Sequence, residues 1–177
     1  MNFVGIDASF TRTAVASVGP DGFHYEVIET KPRRRDGSPW SDFDRCRYLS
    51  DRVYALLSDW PGGVAGIAVE EPGFTGQGFS TAAVAMARAA VFCGIPSGIR
   101  VEVPIVSRWR RDLAIHMRRG AGKVPIEEFV RELGFVLPVS DRGKVDPDVP
   151  DAVALAEWMR RVVASDIAPL PAASALR

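Results

Sequence analysis

Three acidic groups in the chain have the right residue types for metal-assisted chemistry. Asp7 closes the apolar run NFVGID, Glu70 and Glu71 close VAGIAVEE, and Asp146, Asp148 and Asp151 crowd into VDPDVPDAVALAEW. Like carboxylates repel, and burial makes their charged form costly. Such crowding is tolerable when a hard divalent cation, Mg²⁺ or Mn²⁺, sits among the oxygens. Two ions in a carboxylate cluster suit in-line phosphoryl displacement, one activating water and the other stabilising the leaving oxygen. Each acid also has an ordinary reading. Asp148 can cap a helix whose first turn holds Pro150, with Asp151 favouring the helix dipole. Asp7 can be a turn residue before ASFT, and Glu70–Glu71 a solvated strand end before Pro72. Taken singly, these ordinary readings have the better odds. They weaken if the three groups meet at one place.

Whether they meet depends on the elements that carry them. NFVGID reads as a buried strand, RTAVASVG follows a short turn, and the turn signal GPDG leads into the alternating FHYEVIET. Three strands with tight connections make an antiparallel meander. KPRRRDGSPWS is a loop. Residues 42–59 have helical spacing, with Phe43, Cys46, Leu49, Val53, Leu56 and Leu57 on one stripe. VAGIAVEE is a strand covered on both faces. PGFTGQG is a glycine-rich loop and FSTAAVAMARAAVFCG a small-residue helix. RVEVPIV is a further strand, and Ser107 is placed to cap a helix RWRRDLAIHM. VPIEEFVRELGF and residues 149–163 complete the helices. The order β-β-β-α-β-α-β-α-α-α predicts an α/β fold with a mixed sheet, a meander followed by parallel strands reached through helices. Ligands gather beyond the carboxyl ends of such strands. If the first and fourth strands are parallel neighbours, Asp7 and Glu70 share one edge, and a helix packed on the sheet can bring Asp148 and Asp151 there.

The totals are those of an ordinary globular chain. Its 177 residues suit one domain, expected over 1–165 with a loose Pro/Ala-rich tail over 166–177. No apolar run is long enough to span a bilayer, and MNFVGIDAS lacks the basic start of a signal peptide. Cys46 and Cys93 have no metal-type spacing, so a cytoplasmic protein with reduced thiols is expected. Net charge is zero, which does not indicate a strongly basic nucleic-acid binder. However, residues 100–123 hold seven basic and two acidic side chains, an asymmetry able to hide a polyanion site in a neutral sum.

FVGIDASFTRTAVASV, GIAVEEPGF and DVPDAVALAEW, in that order and spacing, resemble the RuvC-type Holliday-junction resolvases of the ribonuclease H-like superfamily. The likeness runs from residue 3 to about residue 163. Each motif alone is weak; the ordered set is fairly specific. It maps the family's catalytic, metal-holding acids onto Asp7, Glu70, Asp148 and Asp151. It implies a five-stranded mixed sheet flanked by helices. It also implies a homodimeric endonuclease using two Mg²⁺ ions per site, with Mn²⁺ able to substitute. Its substrate would be branched DNA, four-way junctions foremost, nicked to leave a 5′-phosphate and a 3′-hydroxyl. The family's lysine before the penultimate helix falls on Lys123, and its basic DNA path on Arg108, Arg110, Arg111, Arg118, Arg119 and Lys123. The aromatic that follows the catalytic Glu falls nearest to Phe74, with Phe79 as the other choice. Glu71 and Asp146 are additional acids outside the pattern. Compactness and divergence are more like those of a phage or prophage member than of a housekeeping bacterial one.

Other features carry less. GAGK is not a phosphate-binding P-loop, because Val124 stands where Ser or Thr is required, and GFTGQG lacks the dinucleotide glycine spacing. His24 and His116 have no partner at metal or triad spacing. Trp109 among three arginines suits either nucleic-acid contact or a core position with a solvated face. Arg33, Arg34 and Arg35 form a basic run, usually just solvated but able to hold the outer arms of a junction. The Ala-rich stretch 82–90 is a candidate dimer helix. Two rival functions are a non-catalytic DNA-structure-binding module and, on the strength of GIDASFTRT, a small phosphotransferase of the actin-like kinase fold.

Overall fold

The structure, a computed structural model, describes residues 1–34, 36–71, 78–118, 120–139 and 143–167, with 78–81 described as backbone only. β1 (Asn2–Asp7), β2 (Arg12–Gly19) and β3 (Gly22–Glu29) form the meander, and α1 (Asp42–Ser58) leads to β4 (Val64–Val69). Then come α2 (Gly78–Gly94), β5 (Val101–Glu102), α3 (Val106–Asp112), α4 (Val124–Glu132) and α5 (Val149–Ile167). The five strands make one sheet in the order β3-β2-β1-β4-β5. β2 is antiparallel to β1, whereas β4 runs parallel beside it with Ile6 opposite Val69. The mixed sheet inferred from the element order is thus the one formed. Among the described residues, no helix is long and apolar enough to cross a membrane.

Both sheet faces are covered. Val4, Ile6, Val15, Ile67 and Val69 pack on one side against Leu49, Val53 and Leu57 of α1 and Ala87 and Val91 of α2. On the other side lies α5, whose residues from Val149 to Met159 are all buried. Its Trp158, Leu155 and Met159 pack with Trp109 and Ile126. Full burial of a large apolar side chain contributes about 1.5–3 kcal/mol, so this helix is a major prop of the core. Gly5 sets how closely α5 approaches β1: a Cβ there would lie 2.0 Å from the Ala152 carbonyl oxygen. Only glycine admits that approach, and it fixes where the start of α5 stands relative to Asp7.

Several expected boundaries shift. β5 has two residues rather than the seven of RVEVPIV, because Pro104 has no N–H to give a strand ladder; beyond it only an isolated bridge joins Glu71 and Ile105. The helix expected at RWRRDLAIHM starts at Val106 and stops at Asp112, with Ile105 rather than Ser107 at the cap position. Leu113 and Ile115 are both buried, yet two residues apart they would point to nearly opposite sides of a helix. The chain buries both by bending through Ala114 at φ 58. Phe43 is 76% exposed and leaves the expected α1 stripe; Arg45 is buried in the same helix instead. α5 continues to Ile167, past the expected end at 163 and two residues into the segment read as tail. The loop PGFTGQG lies almost wholly outside the described residues.

Candidate active site

The parallel pairing of β1 and β4 brings Asp7 and Glu70 to one edge, where the Glu70 N–H donates to the Ile6 carbonyl at 3.1 Å. The α5 N-terminus supplies the other two acids. Asp148 is at its cap position, its carbonyl accepting the Ala152 N–H at 3.3 Å. Its side chain does not serve as a mere cap, since it is engaged by cations. The Lys123 ammonium lies 2.6 Å from Asp151 Oδ2, 3.6 Å from Asp148 Oδ1 and 3.9 Å from Asp7 Oδ2. It also donates to the Pro147 carbonyl at 2.6 Å. Three acids from two distant parts of the chain therefore share one ammonium, which comes from the turn before α4.

Two arginines complete the charge pattern. Arg110 Nη2 donates to Asp151 Oδ1 at 3.4 Å, and Arg12 Nε lies 3.1 Å from Asp148 Oδ2 while its Nη2 pairs with Asp146. Asp146 also accepts the Asp148 N–H at 3.2 Å, so this additional acid holds Asp148 in place. Arg12 went unnoticed because only the antiparallel fold-back of β2 carries it to the edge where β1 ends. The available signal was an arginine opening the second strand of a tight meander. Arg110, expected among the DNA contacts, lies over the buried Trp109 ring with its guanidinium beside Asp151.

The balance is incomplete. Burial pushes the Asp7 carboxyl up to about 7, with Asp151 adding to the rise and Lys123 opposing it. Glu70 is pushed up to about 8, again by burial first, then by the charges of Asp7 and Asp151. Burial works against the Lys123 ammonium, yet the surrounding carboxylates outweigh it and raise its pKa. Asp151 is 2% exposed, and its Oδ2, though close to Lys123, has no partner in hydrogen-bond geometry. That contact is a close but poorly aligned ion pair. As they stand, no three His, Cys, Asp or Glu side chains among the described residues are drawn in far enough to hold a metal ion; ammonium and guanidinium groups occupy the space between them. The donor set still fits a hard divalent cation: carboxylate oxygens only, two of them pushed toward protonation when no cation is present, and one buried oxygen without a hydrogen bond.

The remaining expected residues are dispersed. Arg108 and Arg111 both pair with Asp112, and Arg108 lies over the Trp158 ring. Arg118 is exposed. Phe74 and Arg119 lie outside the described residues, as does the side chain of Phe79. Glu71 donates its N–H to the Pro104 carbonyl. His24 and His116 are exposed, and both cysteines are free thiols.

Among solved structures, the chain is similar to Thermus thermophilus RuvC in complex with a Holliday junction substrate, with TM-score 0.73 and 23% identity over 94% of this chain and 96% of that one. A second Thermus thermophilus RuvC structure is similar at TM-score 0.65 and 24% identity, over 92% and 97% of the two chains. No family profile matches the chain, and no curated protein matches it in sequence. At this identity the likeness establishes the fold, a RuvC-like, ribonuclease H-like architecture, as the ordered motifs implied.

Proposed function

We propose that this chain, folded like RuvC, is a divalent-cation-dependent endonuclease that nicks branched DNA, four-way junctions foremost. The observation that carries the reading is the meeting of Asp7, Asp148 and Asp151 on one ammonium, with Glu70 beside them, beyond the carboxyl ends of two parallel strands. Two Mg²⁺ ions held by these four carboxylates would supply Lewis acidity toward a phosphodiester and acidify the attacking water. The protein's own groups orient the donors. Arg110 and the α5 backbone hold Asp151, Arg12 and Asp146 hold Asp148, and the β1–β4 pairing holds Asp7 beside Glu70. Lys123 is the group with two uses. In the metal-free protein it offsets the carboxylates; with cations in place its ammonium is free to meet a phosphate oxygen and the charge that develops on it. Cleavage would leave a 5′-phosphate and a 3′-hydroxyl.

A homodimer would place two such sites for paired nicks. The exposed Ala82, Ala85 and Ala89 side of α2 is the proposed contact, and sedimentation of the wild type as a monomer would remove this part of the reading. One observation favours the rival, a binding module without catalysis: three cationic side chains already lie against the acids. The raised Asp7 and Glu70 carboxyls speak against it, because a retired site has no need to bury acids it leaves undercompensated. A labelled four-way junction and a linear duplex of the same sequence, each given protein and Mg²⁺, decide the matter. Symmetric, ligatable nicks in the junction alone support the nuclease; tight junction binding with intact strands in both Mg²⁺ and Mn²⁺ supports the module.

A further inference from the structure

The sheet edge that bears the carboxylates continues outward through β2 and β3. Asp7 ends β1, Arg12 opens β2 beside that end, and Glu29 closes β3 opposite Arg12. The chain leaving β3 therefore starts from the catalytic edge, two strands away, which is about 10 Å at ordinary strand spacing. Its sequence, KPRRRDGSPW, carries four basic residues and one acid.

This segment is built rather than trailing. The Trp40 N–H donates to the Pro32 carbonyl and the Arg34 N–H to the Ser38 carbonyl, both at 3.0 Å, closing a small hairpin that turns at Gly37 with φ 84. Asp36 accepts from the Ser38 N–H and hydroxyl. Buried Arg45 ties the base down, donating to the Thr30 carbonyl at 2.6 Å and the Phe10 carbonyl at 2.8 Å. Trp40 rests against Tyr48 with ring centres 5.1 Å apart, and the Arg34 guanidinium lies 5.3 Å above the indole. Between hairpin, β3 and α1 opens a cleft of about 590 Å³. The acids on its β3 wall are already matched, Glu29 with Lys31 at 2.9 Å and Glu26 with Arg52. Among the described residues, neither Arg33 nor Arg34 closes an ion pair within 4.0 Å; the Arg34 charge acts only at longer range on the exposed Asp36 of the same loop. Arg33 Nη1 donates to the Gly37 carbonyl of its own loop.

We propose that this cleft is a second DNA contact, holding the backbone of the duplex arm that leaves the scissile position. Arg33 and Arg34 meet its phosphates, and the half-buried Trp40 indole offers an apolar face to the sugar edge. The inference rests on DNA being the substrate at the carboxylates. With a rise of 3.4 Å per nucleotide, the roughly 10 Å from β1 to the end of β3 already spans about three nucleotides, so these phosphates lie at least that far from the cleavage point. Arginine suits the role because its planar fork meets phosphate oxygens in pairs.

The test is junction affinity against salt, measured in Ca²⁺ with full-length protein. The Arg33→Ala/Arg34→Ala variant should bind about tenfold more weakly, and its slope of log affinity on log salt should be shallower by about 2, one unit per phosphate released. Arg33→Lys/Arg34→Lys should restore the slope, which a merely loosened loop would not allow. Trp40 fluorescence should change on adding junction, and Trp40→Phe should remove that change, since the other three tryptophans, Trp60, Trp109 and Trp158, are buried. Unchanged slope and affinity in the alanine variant, with wild type binding normally, would overturn this contact and leave the catalytic reading standing. Wild type with no junction affinity at all would overturn both.

Discussion

Without the Lys123 ammonium, Asp7, Asp148 and Asp151 would have, among the described residues, Arg12 and Arg110 against them. Under the proposed function, Lys123 would compete with the cations it later assists. Lys123→Gln should bind Mn²⁺ roughly fivefold more tightly, equivalent to about 1 kcal/mol of repulsion removed, while junction cleavage falls. Weaker Mn²⁺ binding in a calorimetric titration would show that Lys123 shapes the site instead. The acids make a second prediction. Asp7 is raised from 3.8 to about 7 and Glu70 from 4.5 to about 8, so the folded protein keeps protons that the unfolded chain releases between about pH 4 and 8. Their contribution to stability is fully present below pH 4 and is lost as pH rises through 7 and 8. In EDTA, Tm should fall from pH 5 to pH 8.5, and saturating Mg²⁺ should flatten the decline. A metal-free Tm that rises over that range contradicts the assigned environments.

At the scale of elements, the site depends on α5 lying directly on β1. Gly5→Ala would drive a Cβ into the Ala152 carbonyl, and backbone cannot yield as a side chain end can. We expect a loss of about 3 kcal/mol in chemical denaturation, in the upper range for overpacking, with weaker cation binding in the fraction that stays folded because Asp148 and Asp151 move with the helix. Unchanged stability would mean that α5 stands further off. The same elements show what the sequence could disclose. β1, β2, β4 and α5 are legible because periodicity and turn residues report local preference, and the convergence of Asp7, Glu70, Asp148 and Asp151 follows from strand order. Arg12 and Arg110 reach the site through tertiary placement, which no local pattern records. β5 and α3 were overextended because Pro104 and the paired burial of Leu113 and Ile115 override propensity.

Over the whole molecule, a net charge of zero conceals a division of labour. Acids collect where β1 and β4 end and α5 begins, while the segment after β3, which starts from the same edge, is rich in arginine. A DNA backbone crossing that edge would meet cations beside the carboxylates, and specificity would rest on the bent shape of a junction more than on base edges. The most direct measurement is single-turnover cleavage of a labelled four-way junction in Mg²⁺ by wild type and Asp7→Asn, with junction affinity read in parallel. We expect nicks from wild type, a loss of at least about a thousandfold in rate for Asp7→Asn by analogy with removal of a group acting on the transition state, and binding within about threefold of wild type. Equal cleavage by both proteins, or none by either while both bind, would contradict the proposed function.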